Sequence, residues 1–154
     1  MRIQILVSND VYPPTFGLSA RVFSLATALA RSATVRITCA VPSRDRAPAV
    51  ERVGAVEIRR VRTYHPTLLY HLQRARLVSD YLTAEIYRIF PGPLARAWDN
   101  EADVWQVESL NLTTTFERAP AGALRVYASQ NVEAEWFERV GPPLAGRRQW
   151  VRTI

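Results

Sequence analysis

Apolar positions along this chain switch repeatedly between two periods. Ile3, Ile5, Leu6 and Val7 form a short run, the pattern of a strand buried on both faces. Val22, Leu25, Ala26, Leu29 and Ala30 recur at intervals of three and four, which predicts an amphipathic helix. Between them lies the Pro-rich turn from Tyr12 to Arg21, with Gly17 beside the expected helix start. Val35, Ile37, Cys39 and Val41 alternate, so Thr34 to Val41 reads as a second strand, and the polar stretch Pro42 to Pro48 as a loop. Val56, Ile58 and Val61 predict a third strand opened by Gly54. Leu68, Leu72, Ala75, Val78, Leu82, Ile86 and Phe90 keep near-helical spacing up to Pro91-Gly92-Pro93, which ends any helix. Asp103 to Val107 predicts a fourth strand and Leu124 to Ala128 a fifth. Glu133 to Val140 reads as helical, and Pro142-Pro143 as the opening of a further helix at Leu144. Strands alternating with helical segments predict an α/β fold, a parallel sheet with helices on both faces.

In such sheets ligands sit at the carboxyl ends of the strands, near the point where strand order reverses. That rule brings four loops to one rim: Asn9 to Gly17, the loop after Val41, Glu108 to Asn111, and Ser129 to Glu133. The start of the first helix has free backbone N–H groups and a partial positive charge, which suits a phosphate. Arg21, in its first turn, can reach an anion or form a surface ion pair. Asn9 and Asp10 are loop-shaping residue types. Trp105 and Trp136 read as core residues.

Composition narrows the classes. A chain of 154 residues with 48% apolar content can bury a core as one globular domain. No apolar run approaches the roughly 20 residues that span a bilayer. Asn9, Asp10 and two prolines interrupt the first apolar run, against a signal peptide. Cys39 is the single cysteine, so no internal disulfide forms; a reducing, cytoplasmic setting is expected, with Cys39 buried in its strand. All 20 basic residues are arginine, against 14 acidic residues, for a net charge of +6. Such a charge suits nucleic acid, an anionic membrane surface or a phosphorylated ligand. No interleaved aromatic platform, zinc-finger spacing or recognition-helix signature supports nucleic acid. The clusters Arg59-Arg60 with Arg62, Arg74 with Arg76, and Arg147-Arg148 read as solvated faces before binding patches. His65 and His71 have no third ligand at metal-like spacing, so no metal or other cofactor is expected.

Several stretches together resemble one family. Ser8-Asn9-Asp10-x-Tyr12-Pro13-Pro14 with Gly17 and Arg21 resembles the opening of the retaining glycosyltransferases of family four, which have the GT-B fold. The likeness continues through Leu25 to Ala30, Gly54-x-x-Glu57-Ile58-Arg59-Arg60-Val61, Ala102 to Glu108, and Ser129-Gln130-Asn131-Val132-Glu133. It covers nearly the whole chain, in order.

The resemblance implies a single, partial N-terminal Rossmann-like domain over residues 1–154, on the acceptor side of a cleft. In the family, a second domain grips a UDP- or GDP-type sugar donor; by this reading it is absent here and the isolated chain is inactive. The acceptor would be a glycan or a lipid-linked molecule. Gly17 matches the first glycine of the turn near the donor diphosphate, and Leu18 stands where a second glycine is usual. Glu108 matches the position of a histidine near the reacting sugar, where a carboxylate can accept sugar hydroxyls or act as a base. Gln130, Asn131 and Glu133 resemble the family's His-Asn-x-Glu turn; Asn131 and Glu133 equally suit helix capping. With Asn9 and Arg21 they would line the acceptor cleft. The stretch Arg59 to Arg76 lies where the family presents acceptor- or membrane-facing helices, so peripheral contact with the inner membrane face is admitted. The alternatives are a non-catalytic binding or interaction module of the same ancestry and an unrelated nucleotide-binding α/β protein, against which the absence of a G-x-G-x-x-G or G-x-x-x-x-G-K-S/T motif counts.

Overall fold

The computed structural model describes residues 1–42, 44–63, 98–108 and 110–128. The helices expected over 68–90 and 133–140, the turn bearing Gln130, Asn131 and Glu133, both histidines and Trp136 lie outside the described residues.

The first unit forms as its periodicity predicts. Strand β1 is Arg2–Val7, helix α1 is Gly17–Leu29 and strand β2 is Thr34–Pro42. Beyond them come β3 (Val50–Val53), β4 (Val56–Thr63), β5 (Val104–Val107), a 3₁₀ segment (Leu110–Arg118) and β6 (Leu124–Tyr127). The six strands make one sheet in the order β3-β4-β2-β1-β5-β6. Every neighbouring pair is parallel except β3 with β4. The fold is therefore α/β, with a mostly parallel sheet.

Strand β3 corrects the expectation of an all-parallel sheet. It has four residues, Val50 is 55% exposed, and its sequence Val-Glu-Arg-Val offers almost no apolar signal, as befits an edge. Gly54 does not open β4 alone but turns the β3–β4 hairpin. Its φ is +61° at the first of two turn residues, a conformation that costs glycine little. The stretch Leu110–Arg118, expected to begin as loop, is a 3₁₀ segment that seats Leu112 and Phe116 on the sheet.

Alternation along the strands sorts the core into two layers. Ile3, Ile5, Val7, Val35, Ile37, Cys39, Val41, Val56 and Ile58 join Val22 and Ala26 of α1 in one cluster. Leu6, Ala40, Val61, Trp105 and Val107 form the other with Leu112. Trp105 is fully buried, as expected of a core residue, and Trp98 stacks edge-on against it at 5.8 Å. On this second face the strand starts carry charge. Arg36 Nε donates to Glu57 Oε1 at 2.7 Å, Arg59 Nε to the same oxygen at 2.9 Å, and Arg36 Nη1 meets Asp99 at 2.9 Å.

Candidate functional site

The chain leaves β1, crosses through α1 to β2 on one side, and later enters β5 on the other side of β1. Strand order thus reverses between β1 and β5, and the carboxyl ends of these two strands frame the expected ligand crevice. Three predicted site residues meet there: Gly17 at the start of α1, Arg21 one turn on, and Glu108 just past β5. Asn9 stands on the adjoining loop, exposed, with its side-chain amide donating to the Ser8 hydroxyl at 3.3 Å.

Glu108 is not an exposed rim carboxylate. Its backbone N–H extends the β1–β5 ladder by donating to Leu6 O at 3.0 Å, and its side chain is fully buried. Alternation puts Gln106 and Glu108 on the α1 face of β5, and both oxygens of the carboxylate have partners there: Gln106 Nε2 donates to Oε1 and Arg21 Nη2 to Oε2. Arg21 is itself 42% exposed along its side chain. The pair has a wet end and a dry end, so Arg21 can swing toward solvent while Glu108 cannot.

The start of α1 is organised by Ser19, which accepts the backbone N–H groups of Thr15 at 3.0 Å and Phe16 at 3.1 Å and donates to Phe16 O at 2.8 Å. This is the return half of a capping box. Gly17 is exposed, helical, and has open space where a Cβ would sit. Leu18 is helical too and packs its side chain against the first core cluster.

The loop between β1 and α1 is held from below. Asp10 Oδ1 accepts the N–H groups of Val11 at 2.7 Å and Tyr12 at 3.2 Å, an Asx-type turn. Val11 is fully buried, and the Tyr12 ring lies 5.1 Å from that of Phe23. Beneath sits Arg60, whose side chain is 1% exposed. It donates from Nε to Asp10 Oδ2 at 2.7 Å, from Nη2 to Tyr12 O at 2.8 Å, and from Nη1 to Glu51 Oε2 at 2.7 Å and Pro48 O at 3.2 Å. Burial would lower its pKa, yet the hydrogen bonds it donates to Asp10 and Glu51 outweigh that and raise it.

The arginines of β4 thus differ from the solvated cluster that composition suggests. Arg59 binds Glu57, Arg60 is interior, and Arg62 ties down the next loop through Asp45 O at 2.9 Å and Ala47 O at 2.6 Å. The expectation of a solvated face is wrong for Arg60, and Gln106 has no assigned role in the sequence reading, although a signal exists for both. Arg60 shares the parity of Val56 and Ile58, and Gln106 that of Val104 and Glu108, so each falls on an inward face.

Cys39 is buried as expected, with its Sγ 3.5 Å from Arg59 O. Burial, reinforced by Asp10, pushes the thiol pKa up to about 12, which suppresses the thiolate. Among the described residues no cluster of His, Cys, Asp or Glu is placed to hold a metal ion. No helix among them is long and apolar enough to cross a membrane. A recess of about 330 Å³ between Asn100–Asp103 and Pro120–Ala123 lies at the opposite, amino end of β5 and β6, away from the crevice. No family model and no curated protein matches this chain.

Proposed function

We propose that this chain forms the acceptor-side, Rossmann-like domain of a GT-B retaining glycosyltransferase, which transfers a sugar from a nucleotide-sugar donor to a glycan or lipid-linked acceptor. One observation carries the reading. The residues that resemble the family's opening motif and its fourth-strand motif converge on the crevice between β1 and β5, with Arg21 in hydrogen-bond contact with Glu108. In the proposed enzyme a second domain closes over this rim and brings the nucleotide. The start of α1 with Gly17 then faces the donor diphosphate, where backbone N–H groups and helix polarity favour negative charge.

Glu108 presents to a hydroxyl of the reacting sugar a carboxylate that Gln106 and Arg21 hold in place. Its fixed orientation, with little freedom left to lose on binding, suits positioning better than proton abstraction. Arg21 neutralises the carboxylate, limiting its repulsion of a nearby diphosphate. Asn9, Gln130, Asn131 and Glu133 line the acceptor side by resemblance. The proposed setting is cytoplasmic.

The test incubates the intact enzyme with UDP- and GDP-sugars and with glycan and lipid-linked acceptors, following nucleoside diphosphate release and product anomer. Acceptor-dependent release with retained anomeric configuration is expected, and Glu108→Gln should lower kcat about tenfold or more. Release from no donor, or an inverted product, would overturn the assignment. A non-catalytic module has one observation in its favour, since a carboxylate already held by Arg21 serves binding as readily as turnover; acceptor binding without turnover would select it.

A further inference from the structure

Arg60 does more than fill a buried position. Its guanidinium joins four segments distant in sequence: Asp10 and Tyr12 of the rim loop, Pro48 of the loop after β2, Glu51 of the edge strand, and β4, from which it projects. The donors are spent in the planar fork that arginine alone supplies, with a carboxylate or carbonyl oxygen on each nitrogen. Asp10 is the shared element, because the carboxylate that receives Arg60 also accepts the backbone N–H groups of Val11 and Tyr12. The loop from Ser8 to Phe16 contains three short or rigid residues at its tip, Pro13, Pro14 and Thr15, all exposed. Its shape is therefore set where it leaves β1, and the start of α1 follows directly after.

We propose that Arg60 is the positioning residue of the ligand rim: it fixes the β1–α1 loop from inside the protein, and the β3–β4 hairpin serves as the abutment against which it does so. Glu51, the only contact of β3 with this cluster among the described residues, gives that short antiparallel strand a purpose that its few apolar contacts do not. The charged groups facing Arg60 are Asp10 from the loop and Glu51 from β3, with the neutral thiol of Cys39 from β2 beside Asp10 at 3.9 Å. The consequence for catalysis rests on the glycosyltransferase reading; the clamp itself does not.

The clamp is tested by hydrogen–deuterium exchange on the 154-residue chain, comparing wild type with Arg60→Lys and Asp10→Asn. Lysine keeps the charge but cannot bridge Asp10, Tyr12 and Glu51 together, and asparagine keeps the size but weakens the acceptor. Exchange at the Val11 and Tyr12 amides, which Asp10 holds, should rise about tenfold or more in either variant while the amides of β1 and β2 keep their protection. Should Arg60→Lys fail to fold, Asp10→Asn decides alone. Unchanged exchange in the loop would overturn the clamp, as would a rise spread evenly over loop and core, since that reports general destabilisation. In the intact enzyme the same Arg60→Lys change should lower kcat with KM for the donor less affected. Normal loop exchange with wild-type turnover sinks the clamp alone, whereas a loosened loop in a protein that releases no nucleotide sinks the glycosyltransferase reading alone.

Discussion

The two glycines Gly17 and Gly54 lie in different physical situations, and substitution separates them. Gly54 has φ +61°, so a side chain there is strained whatever the surrounding space. Gly54→Ala should cost about 1 kcal/mol through the left-handed backbone and loosen the hairpin that carries Glu51. Gly17 is helical and nothing lies within 4 Å of its would-be Cβ. Gly17→Ala should leave stability unchanged or raise it by up to about 1 kcal/mol, since alanine is the better helix former. Urea unfolding of both variants measures the contrast. If, as proposed, a diphosphate approaches the α1 backbone closely, Gly17→Ala will weaken its binding while the fold gains. A loss of stability at Gly17 equal to that at Gly54 would contradict the geometry.

At the scale of elements, β2 and β4 are joined near their starts by the Arg36–Glu57–Arg59 cluster as well as by the backbone ladder. Burial alone would raise the Glu57 pKa, but hydrogen bonds from Arg36 and Arg59 outweigh it and hold the carboxyl below its ordinary 4.5. A folded-state pKa below the unfolded one means that the stabilisation is present above about 4.5 and fades as pH falls through the folded value. Glu57→Gln should therefore cost about 1–3 kcal/mol at neutral pH, and the gap from wild type should close as the pH falls through the lowered folded-state value. A gap that stayed unchanged however far the solution was acidified would assign the effect to packing. The periodicity of β1, α1 and β2 made these elements legible in sequence because each buries an unbroken apolar face. Strand β3 was not legible, since an edge of Val50-Glu51-Arg52-Val53 has no such face, and its hairpin is declared only by Gly54. The same limit applies at the site. Glu108 stood out through its neighbours in sequence, whereas its burial depends on α1 delivering Arg21 across the sheet, a contact 87 residues distant in the chain.

For the molecule as a whole, that contact closes the sheet's two wings. One wing, β3-β4-β2-β1, is knit by α1; the other, β5-β6, meets it through the β1–β5 ladder and through Arg21 to Glu108. The pair is asymmetric, with Glu108 fully buried and Arg21 42% exposed, so its two ends should respond differently to removal. Arg21→Met takes a hydrogen-bonded cation away from a buried carboxylate, and water cannot replace what the dry end loses; about 1–3 kcal/mol should be lost. Glu108→Gln removes the charge instead, keeps an amide that can still meet Gln106, and frees an arginine already in contact with solvent, so it should cost about 1 kcal/mol or less. In the double variant the buried charge no longer exists, and the loss should fall below that of Arg21→Met alone, with a coupling of about 1 kcal/mol or more. Chemical denaturation at fixed m-value supplies all four corners of the cycle. Additive losses would mean that α1 and β5 are merely neighbours at the crevice. Coupling with the predicted asymmetry would mean that the residue proposed to orient a sugar also helps join the wings, so that Glu108→Gln would separate that proposed role from stability more cleanly than any change at Arg21.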